Sequence, residues 1–380
     1  MGSDPAIVHR HTWIDALRLF AGLSMVGLHL TADPNGQPFA DATAQERLVP
    51  MLLRAILYTA RTELFLMISV LLLLMSLDRR SRSYSDVMHQ QARRLLVPFL
   101  FWTGFYALYG LIKAQAFGYF ANEIARVTDP TRWVGFLVLG DVKYHMHFVP
   151  TLFALLLFFP LFRVAERHPI FGLSVIVTLL VKRHVEGVVY SELWASDALP
   201  FVVRLVKVTT YVGYGMAAGA VLGLWRGVSA QDRVRWVPTL ALFASFLFVF
   251  KLISTWHVVQ SGAWDFTYEP RYWADFLMPV LLLLMCMCLA ERSWPMWISQ
   301  VSKYSFGIYL CHPIFLDVAE IFLRTFAVSP AVQVFAKLAW TLPATCGFVF
   351  ILSRIPALAW TIGLGPLPRL RRVQDAQFYS

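Results

Sequence analysis

Charged side chains are scarce in this chain. Aspartate, glutamate, lysine and arginine make up 15% of its 380 residues, while 58% are hydrophobic. Soluble domains carry about a quarter charged and about 45–50% apolar residues, so a soluble globular protein is excluded and an integral membrane protein is indicated. Cysteine is scarce too. Cys286, Cys288, Cys311 and Cys346 all lie in apolar segments, and the first two, two positions apart, point to different faces of a helix. They read as packing residues rather than a disulfide framework or metal site, and they leave the redox compartment open. A Walker sequence and a Gly-rich dinucleotide loop are missing, so no ATP- or NAD-driven chemistry is visible. Internal repeats, low-complexity stretches and the Gly/Pro-interrupted paired half-repeats of many secondary transporters are missing as well. No apolar heptad or small-xxx-small dimer face stands out, which leaves the oligomeric state open.

Acidic residues are fewer than basic ones, 23 against 33, for a formal charge of +10. The surplus falls in short loops between apolar runs, where membrane topology explains it better than nucleic acid does. The chain reads as one all-α domain over residues 1–365, a bundle of about ten transmembrane helices, followed by a basic tail at 366–380. The ten candidate spans are 12–31, 56–77, 95–116, 147–165, 169–186, 203–225, 236–254, 272–291, 304–325 and 332–353, each near the ~20 residues that the hydrocarbon thickness requires. Lys182 and Arg183 cut the fifth short, and a short interfacial helix is expected near Trp133 to Leu139. The first span is too long for a signal h-region and carries Arg18, so it is expected to stay as an anchor. Arg79, Arg80, Arg82, Arg93 and Arg94 follow span two; Arg226, Arg233 and Arg235 follow span six; Arg354, Arg369, Arg371 and Arg372 follow span ten. These loops share one side, so both termini are expected to be cytoplasmic in a bacterial inner membrane. The larger opposite loops, 32–55, 117–146 and 255–271, are too short to be domains.

Arg18 and His29 lie in the first span, eleven positions apart. That is about three turns, so both face one way, roughly 16 Å apart along the axis. A charge placed mid-membrane costs about 2.5–3.5 kcal/mol even on a lenient scale, and such residues mark buried sites or pathways. Arginine suits an anionic ligand and histidine suits proton transfer. An ion pair with Asp15, three residues back, is the plainer reading of Arg18 and is compatible with the other. Asp33, four residues past His29, would orient the imidazole if the helix continued that far, although Thr31-Ala32-Asp33-Pro34-Asn35-Gly36 looks like a helix end. Arg61 and Glu63, only two apart, do not face each other on a helix, so each is expected to meet another helix or water. Arg204, Lys207 and Lys251 are expected to snorkel to an interface.

Ile14 to Ala21 followed by Leu28-His29 resembles the opening helix of the acyltransferase-3 family of membrane O-acyltransferases, with its arginine, ten residues and histidine. Three further stretches agree in order. Glu63-Leu64-Phe65-Leu66-Met67-Ile68-Ser69 is similar to the family's Phe-Phe-x-x-Ser-Gly segment. Tyr144-His145-Met146-His147-Phe148-Val149 is similar to its Tyr-His-Leu-Trp-Phe-Leu entry into the fourth helix. Ser305-Phe306-Gly307-Ile308-Tyr309-Leu310-Cys311-His312-Pro313 resembles its Ser-x-Gly-Ile-Tyr-Leu-x-His-Pro helix. Val70 stands where glycine is usual, and His147 where tryptophan is usual.

The resemblance implies transfer of an acyl group, most simply acetyl, from cytoplasmic acyl-CoA to a hydroxyl of a surface or exported carbohydrate. Acyl-CoA is then a co-substrate, and no permanently bound cofactor or metal is expected. Such a transfer needs a base ready near neutral pH, the role read for His29. Glu63 is either a second acid/base group or half of a structural ion pair. Arg18 suits the donor's phosphates or pantetheine carbonyls, and Arg79, Arg80, Arg82, Arg93 and Arg94 suit the nucleotide phosphates of coenzyme A. His145 and His147 either line an acceptor site or anchor an interface. Tyr309 and His312 either pack or line the site. Ser69 lacks a Gly-x-Ser-x-Gly elbow and is not read as a nucleophile. Three residues, not four, separate His29 from Asp33, which argues against the glycerolipid acyltransferases. The rival reading is a transporter or flippase of an anionic glycan or lipid that uses the same buried charges.

Overall fold

Lipid offers no partner for a backbone N–H or C=O, so apolar runs of spanning length close their hydrogen bonds within helices. The computed structural model describes residues 11–79 and 82–367. The described residues hold sixteen α-helices and no strand. The first six are α1 (Thr12–Leu30), α2 (Ala44–Leu57), α3 (Arg61–Arg79), α4 (Tyr84–Phe117), α5 (Phe120–Thr128) and α6 (Pro130–Val134). Next come α7 (Phe148–Leu156), α8 (Phe159–Arg167), α9 (Ser174–Glu192), α10 (Leu199–Gly227) and α11 (Ala230–Arg235). The last five are α12 (Val237–Ser261), α13 (Glu269–Cys288), α14 (Met296–Ser302), α15 (Ser305–Leu323) and α16 (Pro330–Arg354). The protein is a multi-pass helical membrane bundle.

Among the described residues, eight stretches are long and apolar enough to cross a membrane, nine if the bent pair α7–α8 counts as one. The expectation of ten differs at two places. Span 147–165 is broken, because α7 and α8 meet at 61°. Pro160, at the start of α8, has no N–H to continue the ladder. In span 169–186, Pro169–Leu173 is a 3-10 turn, and α9 carries Lys182, Arg183 and Glu186, so only its length fits a crossing. The basic tail from residue 368 onward, and Arg80, lie outside the described residues.

The loop expected at 32–55 contains a helix the hydropathy did not reveal. Thr43 and Glu46 form a capping box that starts α2, and α2 prolongs α3 into one line from Ala44 to Asp78. Buried Arg47 ties this cap down by donating to the carbonyls of Ala42 at 2.6 Å, Val259 at 3.0 Å and Ala40 at 3.1 Å. Gly262 makes the latch possible. Its φ is +69°, and a Cβ there would lie 2.5 Å from Arg47 Nη1.

Helix α1 is the centre of the bundle and contacts α2, α3, α13, α14, α15 and α16. Its small residues Ala21, Gly22, Ser24 and Gly27 are buried and let these neighbours close in. By contrast α12 turns Leu242, Phe243, Phe246 and Val249 outward, a face suited to lipid.

A small-xxx-small face is present after all, in Gly215, Gly219 and Gly223 of α10, and it is consumed inside the chain. A Cβ at Gly219 would lie 2.2 Å from the Phe162 carbonyl oxygen, and one at Gly223 would lie 2.1 Å from that of Glu166. Glycine lets α8 lie directly on α10. Gly219→Leu is therefore expected to lower stability by at least the ~1–3 kcal/mol typical of overpacking; thermal unfolding in detergent, with exposed Gly347→Leu as the control, checks this.

Three smaller expectations are also corrected. Lys251 does not snorkel but donates to Asp275 at 2.7 Å and to the Tyr58 carbonyl at 3.0 Å. Arg204 turns inward to the His147 carbonyl at 2.8 Å and the Thr151 hydroxyl at 2.5 Å. Cys346 is exposed on α16, whereas Cys288 and Cys311 are buried.

Candidate active site

All four motif stretches converge on the space beside α1. Near the C-terminal end of that helix, the His29 ring lies 4.1 Å from Tyr144 and 5.6 Å, nearly parallel, from His312. His145 sits edge-on to His312 at 5.3 Å and to Tyr309 at 5.3 Å. His145, Tyr309 and His312 are all buried, and the Tyr309 hydroxyl donates to the His145 carbonyl.

Backbone carbonyls set the tautomers of the two buried histidines. His312 Nδ1 is 2.7 Å from the Tyr309 carbonyl, so it must carry the proton there, and Nε2 keeps its lone pair. His145 Nε2 faces the Leu310 carbonyl at 3.3 Å, leaving the lone pair on Nδ1. Both remaining nitrogens are buried and bonded to no described group. Pro313 helps here: without an N–H to bond back to Tyr309, it leaves that carbonyl free for the imidazole. His29 makes no side-chain hydrogen bond among the described residues and is only half-buried. The cluster therefore offers one open imidazole backed by two fixed acceptors.

Arg18 lies toward the other end of α1. It is 3.8 Å from Asp15 and 3.4 Å from the Ser305 hydroxyl, while Ser299 donates to the other Asp15 oxygen at 2.6 Å. The ion pair read from the sequence exists, and Arg18 also lines a cavity of about 410 Å³. Arg94, Lys303, Gln91, Ser69 and Ser76 line the same cavity. Ser69 turns its hydroxyl back to the Phe65 carbonyl at 2.8 Å, as a helix residue rather than a nucleophile. The cavity ends at Phe65 and Phe148, whose rings pack on each other at 5.4 Å. Both also pack on Tyr309, at 6.4 and 5.3 Å, so one aromatic layer separates the cationic cavity from the histidines.

The remaining expected residues fall elsewhere. Glu63 is buried and bonded to Arg61 at 3.3 Å. The expectation that these two would not meet fails because Arg61, at φ +47°, is off the helical lattice and folds back. Arg61 continues to Asp275 at 2.9 Å, in a network with Lys251 and Arg271. Asp33 does not orient His29. Helix α1 ends at Leu30, and the Asp33 carboxylate instead accepts from the Asn35 and Gln37 N–H groups at 2.8 and 2.7 Å. His147 starts α7 and gives its carbonyl to Arg204 and Thr151. Of the loop arginines, Arg94 alone lines the cavity among those described; Arg93 is exposed, Arg82 donates to Gln90 and Arg79 closes α3.

Sequence reasoning missed three contributors. Arg54 on α2 donates to the Leu28 carbonyl at 2.5 Å, next to His29; the Thr43-x-x-Glu46 box would have revealed its helix. Lys303 joins Arg18 and Arg94 from the turn before α15. Asp317, fully buried one and a half turns past His312, binds Lys143 at 2.6 Å and Lys113 at 3.0 Å. Lys143 precedes Tyr144, so this pair fixes the loop that stacks on His29.

An open imidazole at one end of the site and a cationic cavity at the other fit a group transfer between two substrates. No curated protein and no solved structure matches the chain. The family profile described as an acyltransferase domain matches residues 11–361, nearly the whole length, and the chain belongs to the acyltransferase-3 family of membrane acyltransferases.

Proposed function

We propose that this membrane acyltransferase moves an acyl group, most simply acetyl, from acyl-CoA on the cytoplasmic side to a hydroxyl of a surface or exported carbohydrate. The observation that carries the reading is the cationic cavity of about 410 Å³ set one aromatic layer away from the histidine cluster. Arg18, Arg94 and Lys303 suit the phosphates and carbonyls of the donor. A pantetheine-like arm has the reach for the roughly 16 Å of helix from Arg18 to His29, and it must displace the packed Phe65–Phe148 layer to cover it. The acceptor oxygen attacks the thioester carbon while His29 takes its proton. A C–O bond forms, the C–S bond breaks, and the proton passes to the departing thiolate. A direct transfer is the simplest course, since Ser69 turns its hydroxyl to its own helix.

Purified protein incubated with radiolabelled acetyl-CoA and an envelope glycan extract tests this. Label on glycan, with release of coenzyme A, is expected. Absence of both label and coenzyme A binding would overturn the donor assignment and favour movement of a glycan or lipid without acyl transfer.

Arg18→Gln is expected to raise the KM for acyl-CoA about 10- to 100-fold, the loss of one charge-assisted hydrogen bond. Initial rates across a donor series check it, and an unchanged KM would leave Arg18 a structural partner of Asp15 and Ser305.

A further inference from the structure

A second, smaller pocket opens beside the histidine cluster, between α2, α12, α13 and the loop before α13. It holds about 40 Å³ and is lined by Arg54, Tyr58, Lys251, Trp264, Arg271 and Asp275. Its charges do not balance. Asp275 serves three cations, Arg61 at 2.9 Å, Lys251 at 2.7 Å and Arg271 at 3.4 Å, and Glu63 is bonded to Arg61. Asp265, whose carbonyl accepts from Arg271, turns its carboxylate to His257 at 3.0 Å and the Thr267 N–H at 2.9 Å. Arg54 has no carboxylate partner among the described residues. Its Nη1 donates to the Leu28 carbonyl at 2.5 Å and the Thr31 hydroxyl at 3.4 Å, and its guanidinium lies 4.4 Å over the Trp264 ring. Two carboxylates therefore face four cations, and the cation left over, Arg54, lies over an aromatic ring and lines the pocket. Aromatic stacking and carbonyl contacts fix a guanidinium in place without neutralising it, which prepares it for a planar anion.

The volume fits one small anionic group rather than a whole sugar. Its position is equally specific, because the carbonyl that anchors Arg54 belongs to the residue before His29. We infer that this pocket is an acceptor subsite that binds a carboxylate or phosphate carried by the sugar, through Arg54 and Arg271, and so holds an acidic glycan next to His29. The inference rests on the acceptor being a carbohydrate, as proposed above, and specifies it as an anionic one.

The test measures binding alone, with no acyl-CoA present, so it is independent of whether transfer occurs. A glucuronate-containing oligosaccharide and its carboxyl-reduced counterpart are titrated against the purified protein in neutral-lipid nanodiscs. The acidic probe is expected to bind about 10- to 100-fold more tightly, the range for one charge-assisted contact. In Arg54→Gln that preference should vanish, while Arg54→Lys should recover part of it. If Arg54→Gln does not fold, Arg271→Gln serves, with a preference reduced at least severalfold. Equal binding of the two probes by the wild type, or an undiminished preference in the folded variants, would overturn the inference. So would loss of the preference when phosphatidylglycerol is added to the nanodiscs, which would assign the pocket to a lipid phosphate.

Discussion

Replacing His29 by alanine is expected to reduce acyl transfer by about 10²–10⁴-fold, the usual contribution of a positioned general base, or about 3–5 kcal/mol in the barrier. The effect should fall on kcat, with donor binding retained, because the cationic cavity lies beyond the Phe65–Phe148 layer. His145 and His312 cannot replace His29 where they stand. Each has one ring nitrogen committed to a backbone carbonyl and the other buried. Among the three, His29 is the half-buried one, open to an approaching group. Initial rates of label transfer, together with coenzyme A binding by wild type and His29→Ala, decide the matter. A variant within a few-fold of wild-type kcat would remove His29 as the base.

The second large effect is one of stability. Asp317 is fully buried and holds Lys113 and Lys143, while Glu320 holds Lys113 at 2.5 Å and lies 4.0 Å from Lys337. Three lysines therefore share two carboxylates. Asp317→Asn leaves them with one, and breaking a buried pair from one side costs about 3–5 kcal/mol, because the abandoned charge stays desolvated. Activity should fall in the protein that does fold, since Lys143 positions Tyr144 against His29. Unfolding in detergent measures the first effect. Asp129→Asn is the control, because its pair with Arg132 at 3.9 Å is solvent-exposed and should change nothing measurable. Equal stability of the two variants would show that the lysine cluster is neutralised some other way.

Much of this architecture is legible in single residues. Hydropathy places α1, α3, α10, α13, α15 and α16 within about five residues of their ends, while α4 begins eleven residues before the expected 95–116 and α12 runs seven past the expected 236–254. Backbone satisfaction in lipid leaves long apolar runs one option but does not stop a helix at the edge of its apolar run. The motif residues Arg18, Phe65, His145, Tyr309 and His312 lie along one cavity and cluster, and their motif order agrees with the family. Local signals failed where a single residue breaks the period: Pro160 in the middle of a hydropathic run, and Arg61 in a left-handed conformation.

Composition, periodicity and motif order by themselves determined a helical membrane bundle, its acyltransferase-3 membership and the placing of Arg18 and His29 on one face of one helix. Only the tertiary structure decided that Glu63 belongs to an ion network, that Asp33 turns away, that Arg94 and Lys303 join Arg18, and that Arg54 lies beside His29. The physical reason is range. Helix formation and membrane insertion follow from neighbours within about 20 residues. The partner of a buried charge comes from whichever helix packs against it, as Lys113 and Asp317 do from 204 residues apart.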